Sequence, residues 1–386
     1  MDIFSLDKTT YTNGQIIPNI DSILWVERYA EAGEFTITGK PTKTFMESLP
    51  LGTLISHSDT TSVMMVENHS IDETKDGDVK IEITGRTIDA VAMESRMIAN
   101  NALPPDVLQK YIDLPLFADY TTTYYNNRPS SWGQIEAIVN RYFLASYDLD
   151  TDSFPFPNFY IRSTPSGRTN NTSTSDPILY KYPLSAPKLG NVYDVVKNLL
   201  DATKSGMKIE RPNQTHTTLD FVIHQGVDLS SSVQFNWAAG DLENIRYLWS
   251  NKDYKNAAYV TSDSFGLRVV PAFSTGWNVA FVGVDIGDVS QYYSDPEALT
   301  TTEYNNLVNI YNSAALTELG KHKKVGLFMD ATVSKETTFQ YGKHYNIGDI
   351  VYVTGNYGAE AKMKVTEFAR TMDSSGETGI PTLSPL

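Results

Sequence analysis

The run DLDTD sets Asp148, Asp150 and Asp152 at alternate positions, the spacing with which a calcium loop presents its first oxygen ligands. The same loop needs glycine where Ser153 stands and a bidentate glutamate where Phe159 stands, so an acidic turn after a helix is the plainer reading. Further along, GVDIGDVS puts Asp285 and Asp288 beside glycines, which suggests the carboxylate pair of a glycoside hydrolase. Acidic pairs at loop ends are common, and the structural reading is preferred there too. The six histidines (His57, His69, His216, His224, His322 and His344) contain no HxH or HxxxH pair, so a zinc site would need ligands drawn entirely from distant segments. There is no cysteine, which removes disulfides, thiolate nucleophiles and cysteine metal sites. No G-x-S-x-G elbow, P-loop or strand-anchored G-x-G-x-x-G occurs. Asn171-Thr172-Ser173 and Asn213-Gln214-Thr215 match the glycosylation pattern, but this means nothing without a secretory route. The expectation is a chain with no catalytic, cofactor-binding or metal-ligating residue: a building block more than a catalyst.

The elements that would position such residues are mostly strands. In WVERYAEAGEFTITG, Ile23, Trp25, Glu27 and Tyr29 point one way and Leu24, Val26 and Arg28 the other, while Phe35 and Ile37 alternate with Glu34, Thr36 and Thr38. This predicts a hairpin whose turn uses Gly33 at positive φ. Large apolar groups on both faces of the first strand place it between two layers. SVMMVENHSI and VKIEITG flank a second hairpin turn at KDGD, with Gly77 at its tip. Thr87 is set to cap a short helix whose one face carries Ile88, Val91, Ala92 and Met97/Ile98.

Ser131 and Gln134 have capping-box spacing ahead of the stripe Ile135, Ile138, Val139, Tyr142. A helix opening at Asn191 buries Val192, Val195, Val196, Leu199 and Leu200, and one over about 302–319 carries Leu307, Val308, Tyr311, Ala314, Ala315 and Leu319 before Gly320 stops it. Segment 163–176 has almost no apolar group and reads as an exposed loop, and the tail DSSGETGIPTLSPL reads as frayed. The order fits an α+β chain, mainly β, with two barrel-like units. Its segments are a first β domain with a helix over 1–101, a helical and loop-rich insertion over 102–205, a second β-rich segment over 206–300, and a helix with closing strands over 301–386.

Composition narrows the classes. The chain has 386 residues, and 31 basic against 46 acidic side chains leave a net charge of −15. That argues against wrapping nucleic acid and suits a surface past which a polyanion slides. The N-terminal MDIFSLDKTTYTNG lacks the basic and apolar regions of a secretion signal, so synthesis in a cytoplasm is expected. No apolar run approaches the roughly 18–20 residues that span a bilayer. The 23 tyrosines suit half-buried strand and interface positions.

Trp25, Glu27, Arg28 and Tyr29, leading through Ala32, Gly33 and Glu34 to Phe35, resemble the N-terminal run of the siphophage tail hub family, Gp37-like tail-tip proteins similar to the baseplate hub of contractile phages. IEITGRTIDAVAMESRMI, with Gly85, Arg86 and Arg96, is similar to that family's strand, turn and helix, and GVDLSSSVQFNWAAGDLENIRY with KNAAYV to its later segment. YNIGDIVYV and the closing strand before a proline-containing tail agree as well, while GDLEN departs from the Gly-Asn-Leu expected there.

The resemblance implies a non-enzymatic homotrimer with two tail-tube-like β-barrels per subunit. Three copies would form a pseudo-sixfold ring at the virion tail tip, made in the host cytoplasm, through which DNA passes without specific binding. Implied partners are a distal tail protein or tube ring, a tape-measure protein and a central spike or fibre, with no stable membrane association. Trp25 and Phe35 are then expected in the core, and Arg28 and Arg86 in structural salt bridges or carbonyl contacts. Glu27, Glu31 and Glu34 are expected as solvent or lumen charges. The alternatives are a tail-associated cell-wall hydrolase and a carbohydrate-binding adhesin.

Overall fold

The computed structural model describes residues 1–73, 79–99, 135–136, 138–144, 156–162, 189–250, 252–263, 265–269, 279–322, 325–334 and 337–385. DLDTD, Asn171–Ser173, the 163–176 segment, Gly77, Ser131 and Gln134 lie outside them. The chain is mostly β with few helices, its sheets are open, and it packs as two units: 1–245 with 330–386, and 246–329.

The first unit is organised by an eleven-stranded sheet. Its N-terminal strands are β1 (Ile3–Leu6), β2 (Asn13–Ile16), β3 (Ile20–Arg28), β4 (Glu34–Gly39), β5 (Leu54–His57), β6 (Met64–Glu73) and β7 (Val79–Thr87). They run in the order β3-β4-β7-β6-β5-β1-β2, and the long strand Glu360–Asp373 joins the β3 side. That long strand has three partners. Ile350–Thr354 takes its first half, β3 takes Glu367 to Met372, and Gly376–Pro385 follows it for nearly its whole length.

The first expected hairpin forms, with Trp25 opposite Phe35 in β3/β4, and the strands of the second pair antiparallel with Ile71 opposite Ile81 in β6/β7, its turn lying outside the described residues. Ile23, Trp25, Phe35 and Ile37 are buried in one cluster with Phe45, Ile55, Ile81 and Ile83. On the other face of β3, Val26 is buried but Leu24 is 36% exposed, so only the far end of the strand lies between two layers. A second core gathers Ile88, Ala92 and Met93, the stripe Ile135, Ile138, Val139 and Tyr142, and the Val192–Thr203 helix, with its five expected residues at 6% exposure or less. Asn191 caps that helix, accepting from Asp194 N–H at 2.7 Å. The three-stranded sheet Gly206–Glu210, Leu219–His224, Phe159–Arg162 closes this core, and Phe159 is buried in it.

Five local expectations are corrected. Gly33 does not have positive φ; a Cβ there would stand 2.4 Å from Val26 O and 2.8 Å from Thr87 Cγ2, so glycine is required by close approach rather than by the turn. Met97 and Ile98 leave the Ile88–Glu94 helix and enter the short strand Met97–Ala99, and the Thr87 hydroxyl accepts from Gly33 N–H instead of capping the helix. The tail is not frayed: Gly376 at φ 122° turns the chain, and Gly376–Pro385 pairs on the long strand. Gly320 does not stop its helix, which runs Thr301–Lys321 with a Thr300/Glu303 capping box.

The second unit sets that helix against one face of the strands Gly266–Val269, Ala257–Thr261 and Phe281–Asp285. Leu307, Tyr311, Ala315 and Leu319, four residues apart, meet Ala258, Val260 and Val269. None of the described helices is long and apolar enough to cross a membrane.

Candidate functional site

The hairpin motif is a junction in the first unit. Trp25 stacks on Phe35 with ring centroids 6.0 Å apart and stands perpendicular to His57 at 4.9 Å. Tyr29 extends past the end of β3, and its hydroxyl donates to Lys204 O at 3.0 Å and His224 O at 3.2 Å. Two glycines make room for its ring. A Cβ on Gly206 would come 2.4 Å from Tyr29 O and 2.6 Å from the ring, and one on Gly348, at φ 90°, would come 2.4 Å from the ring. Lys364 Nζ lies 4.4 Å from the ring centroid, a cation–π contact. Gly226 in turn passes so close to Gly348 O that a Cβ would overlap it at 1.5 Å. Asp349 fixes the turn by accepting from Val227 N–H at 2.9 Å and Asn346 N–H at 2.8 Å.

The expected arginine roles hold. Arg28 donates to Glu34 at 2.6 Å, to Glu367 at 2.7 Å and to Ala32 O at 2.8 Å. Arg86 forks onto Glu67 through two 2.9 Å bonds and reaches Glu94 at 2.9 Å, and these carboxylates raise its pKa. Arg96 lies over the Phe143 ring at 5.8 Å. Glu31 pairs with Lys197, and Glu34 is half exposed. Glu27 is the correction: half-buried, it accepts from Trp25 Nε1 at 3.2 Å, from Thr60 Oγ1 and from the Tyr341 hydroxyl at 3.5 Å, so it is a structural acceptor and not a free solvent charge.

Under the hairpin lies a cavity of about 680 Å³ of mixed polar and apolar lining, with Glu27, Asp59, Asp89, Lys208, Tyr341 and Arg370 among its charged and polar residues. Its cations have carboxylate partners in the wall or just behind it: Arg370 faces Asp59 of the wall and Glu377 outside it, and Lys208 meets Glu210 beside the cavity. Burial pushes the Asp89 carboxyl up to about 6, against hydrogen bonds from Thr87 and the Asp89 and Ala90 amides at the helix start. Burial, with Arg370 nearby, pushes His57 down to about 3, so the imidazole is neutral. Its Nδ1 accepts from Asp59 N–H at 3.1 Å, which places the proton on Nε2.

Sequence reasoning missed a buried charge cluster beside the cavity. Glu210, fully buried, accepts from Thr61 at 2.7 Å and meets Arg162 and Lys208. Arg211, equally buried, donates to Tyr11 O at 3.1 Å, Asn13 Oδ1 at 2.6 Å and Gln214 Oε1 at 2.7 Å, and burial pushes its pKa down to about 10. Their partners lie up to 200 residues away, and the only local signal was two adjacent charges closing an apolar strand.

Elsewhere the chemistry-bearing residues are spent on local geometry. Asp285 accepts from Gly287 N–H at 3.0 Å and Asp288 from Ser290 N–H at 2.8 Å. Asn213 accepts from Thr215 at 2.9 Å. His69 bonds Leu49 O at 2.7 Å, and His322 lies 3.4 Å from Glu318. Among the described residues no group of three His, Asp or Glu could hold a metal ion.

The family described as Siphovirus ReqiPepy6 Gp37-like protein matches residues 185–383, 199 of the 386 residues. No curated protein matches the chain in sequence. Among solved structures the chain is similar to the 43 kDa tail protein of prophage MuSo2 from Shewanella oneidensis, at 14% identity and TM-score 0.56, covering 100% of this chain and 98% of that one. A tail protein from Neisseria meningitidis MC58 aligns at 11% identity and TM-score 0.49, covering 100% and 97%. The prophage tail protein gp18 from Listeria monocytogenes EGD-e aligns at 13% identity and TM-score 0.47, covering 100% and 94%.

Proposed function

We propose that this chain, which belongs to the Siphovirus ReqiPepy6 Gp37-like family, is the structural hub that closes the distal end of a phage tail tube. Family membership carries the reading, and the fold shared end to end with the MuSo2 tail protein supports it. In this reading three copies form a ring, each contributing two tube-like β units, so that a sixfold tube above meets a threefold tip below. The four-segment organisation at 101/102, 205/206 and 300/301 belongs to the same reading, as do the distal tail, tape-measure and spike or fibre partners. The charge of −15 suits a lumen that repels duplex DNA and lets it pass. No enzymatic step is included, because the carboxylates of the cavity are held by internal partners.

Native mass measurement of the purified chain, with imaging of the assembled particle, tests this. A trimer and threefold density at the tail tip are expected. A chain that stays monomeric at assembly concentrations, with its density along the shaft or on the head, would overturn the hub role. Clearing of peptidoglycan in a zymogram would restore the hydrolase alternative.

A further inference from the structure

The sheet of the second unit has one face covered by the Thr301–Lys321 helix, and an opposite face that is buried at Ala257 but open at Tyr259 and Thr261. Ala258 and Val260 turn toward the Thr301–Lys321 helix and are fully buried, whereas Tyr259 is 52% and Phe281 39% exposed on the opposite face. The two rings lie side by side, centroids 5.4 Å apart and planes inclined by 40°. Gly283 is the direct cross-strand neighbour of Tyr259, and a Cβ built there meets nothing within 4 Å. The aromatic pair therefore borders an open shelf rather than a packed groove. Two residues farther along, Thr261 and Asp285 are paired in register on the same face, both exposed. Asp285 gives one oxygen to Gly287 N–H, and the other has no partner among the described residues.

We propose that this face binds a pyranose sugar chain, the rings of Tyr259 and Phe281 stacking on the apolar C–H face of one sugar while Thr261 and Asp285 accept hydrogen bonds from hydroxyls of the next. Phe281 to Asp285 spans four strand steps, about 13 Å, which accommodates an extended ligand and not a single buried ring. Charge disfavours nucleic acid: bases could stack on the same rings, but Arg268, in register with Tyr259 on this face, is offset by Asp285, and the overall charge of −15 repels the phosphates. A protein partner is disfavoured because Tyr259 and Phe281 are the only large apolar side chains exposed on the described part of this face, less than an apolar interface core needs. A neutral, hydroxyl-rich ligand remains.

The full chain would be passed over immobilised oligosaccharides, including chains of N-acetylglucosamine and of glucose, with Tyr259→Ala, Phe281→Ala and Gly283→Val alongside. Binding by the parent is expected, weakened about two- to tenfold by each aromatic truncation, the range that an aromatic stacking contact contributes. Gly283→Val is the sharper variant. It keeps both rings and suits a strand, yet fills the shelf, so binding is lost while the melting temperature is unchanged or higher. Failure of the parent to bind any pyranose chain would overturn the proposal. So would binding that survives Gly283→Val, or loss of self-association in Tyr259→Ala without any sugar binding.

Discussion

Tyr29 in the first unit and Tyr259 in the second both sit beside glycines, and the glycines do opposite things. Around Tyr29, Gly206 and Gly348 are absences into which the ring fits, and any added carbon would collide. Beside Tyr259, Gly283 is an absence that nothing fills. The first arrangement fixes three distant segments to one side chain through two carbonyl acceptors and a cation. The second leaves two rings bare to solvent. A missing side chain thus marks tight packing in one place and an unoccupied surface in the other, and only the surroundings tell which.

That contrast is broken or sharpened by substitution. Gly348→Ala should be the most damaging of the changes considered, because it combines a left-handed φ with a clash into the Tyr29 ring. A loss of about 4 kcal/mol or outright misfolding is expected by denaturant titration. Arg211→Leu should cost about 3 kcal/mol by the same measurement, since Tyr11 O, Asn13 and Gln214 lose their buried donor.

The acidic limb of stability has two opposing contributors in the first unit. His57, held neutral with its pKa near 3 against an unfolded value of 6.5, contributes stability above about pH 6.5 that is lost as pH falls toward 3. Asp89, raised to about 6 from 3.8, acts in the other sense: its contribution is present below pH 3.8 and lost as pH rises through 6. Between about pH 4 and 6 the two partly cancel. Asp89→Asn should therefore gain on the parent as pH rises from 4.5 to 7.5, by at most about 3 kcal/mol for a shift of this size. Parallel thermal melts check the sign, and a gain that shrinks with pH would refute it. Smallest of all, Gly283→Ala should change stability by under about 0.5 kcal/mol and leave the second unit's transition in place. A large loss there would erase the contrast between the two glycine settings.

How far the sequence could be read follows from how local each signal is. The hairpin around Trp25 and Phe35, the Asn191 cap and the stripes of the Ile135 and Val192 helices depend on neighbours within a few residues, and they formed as their spacing required. Gly33 was legible as a glycine position but not as a contact, because the atoms that exclude a Cβ belong to Val26 and Thr87. The Gly376–Pro385 strand was hidden by polar, glycine- and proline-bearing composition, and its order comes from the adjacent long strand. Gly320 deceived in the other direction: with no packing demand on it, a helix carries one glycine at a cost near 1 kcal/mol. Least legible was the Glu210/Arg211 cluster, whose partners only the folded chain brings together. The Arg28 and Arg86 pairings fell between these cases: Glu34 and Glu67 follow once the pairing of β3, β4, β6 and β7 is known, whereas Glu367 reaches Arg28 from a strand 339 residues away and Glu94 reaches Arg86 from the following helix.

The long strand Glu360–Asp373 has a mechanical meaning. It is bonded along one edge to two different strands in succession and, from Met363 onward, along the other edge to Gly376–Pro385, so most of its length is held on both sides. A pull along its axis loads those ladders in shear, and many hydrogen bonds must yield together before it slides. The outermost strand β2, four exposed residues paired on one side only, can be peeled away one bond at a time. Force on this molecule would find a stiff spar at one side of its sheet and a zipper at the other.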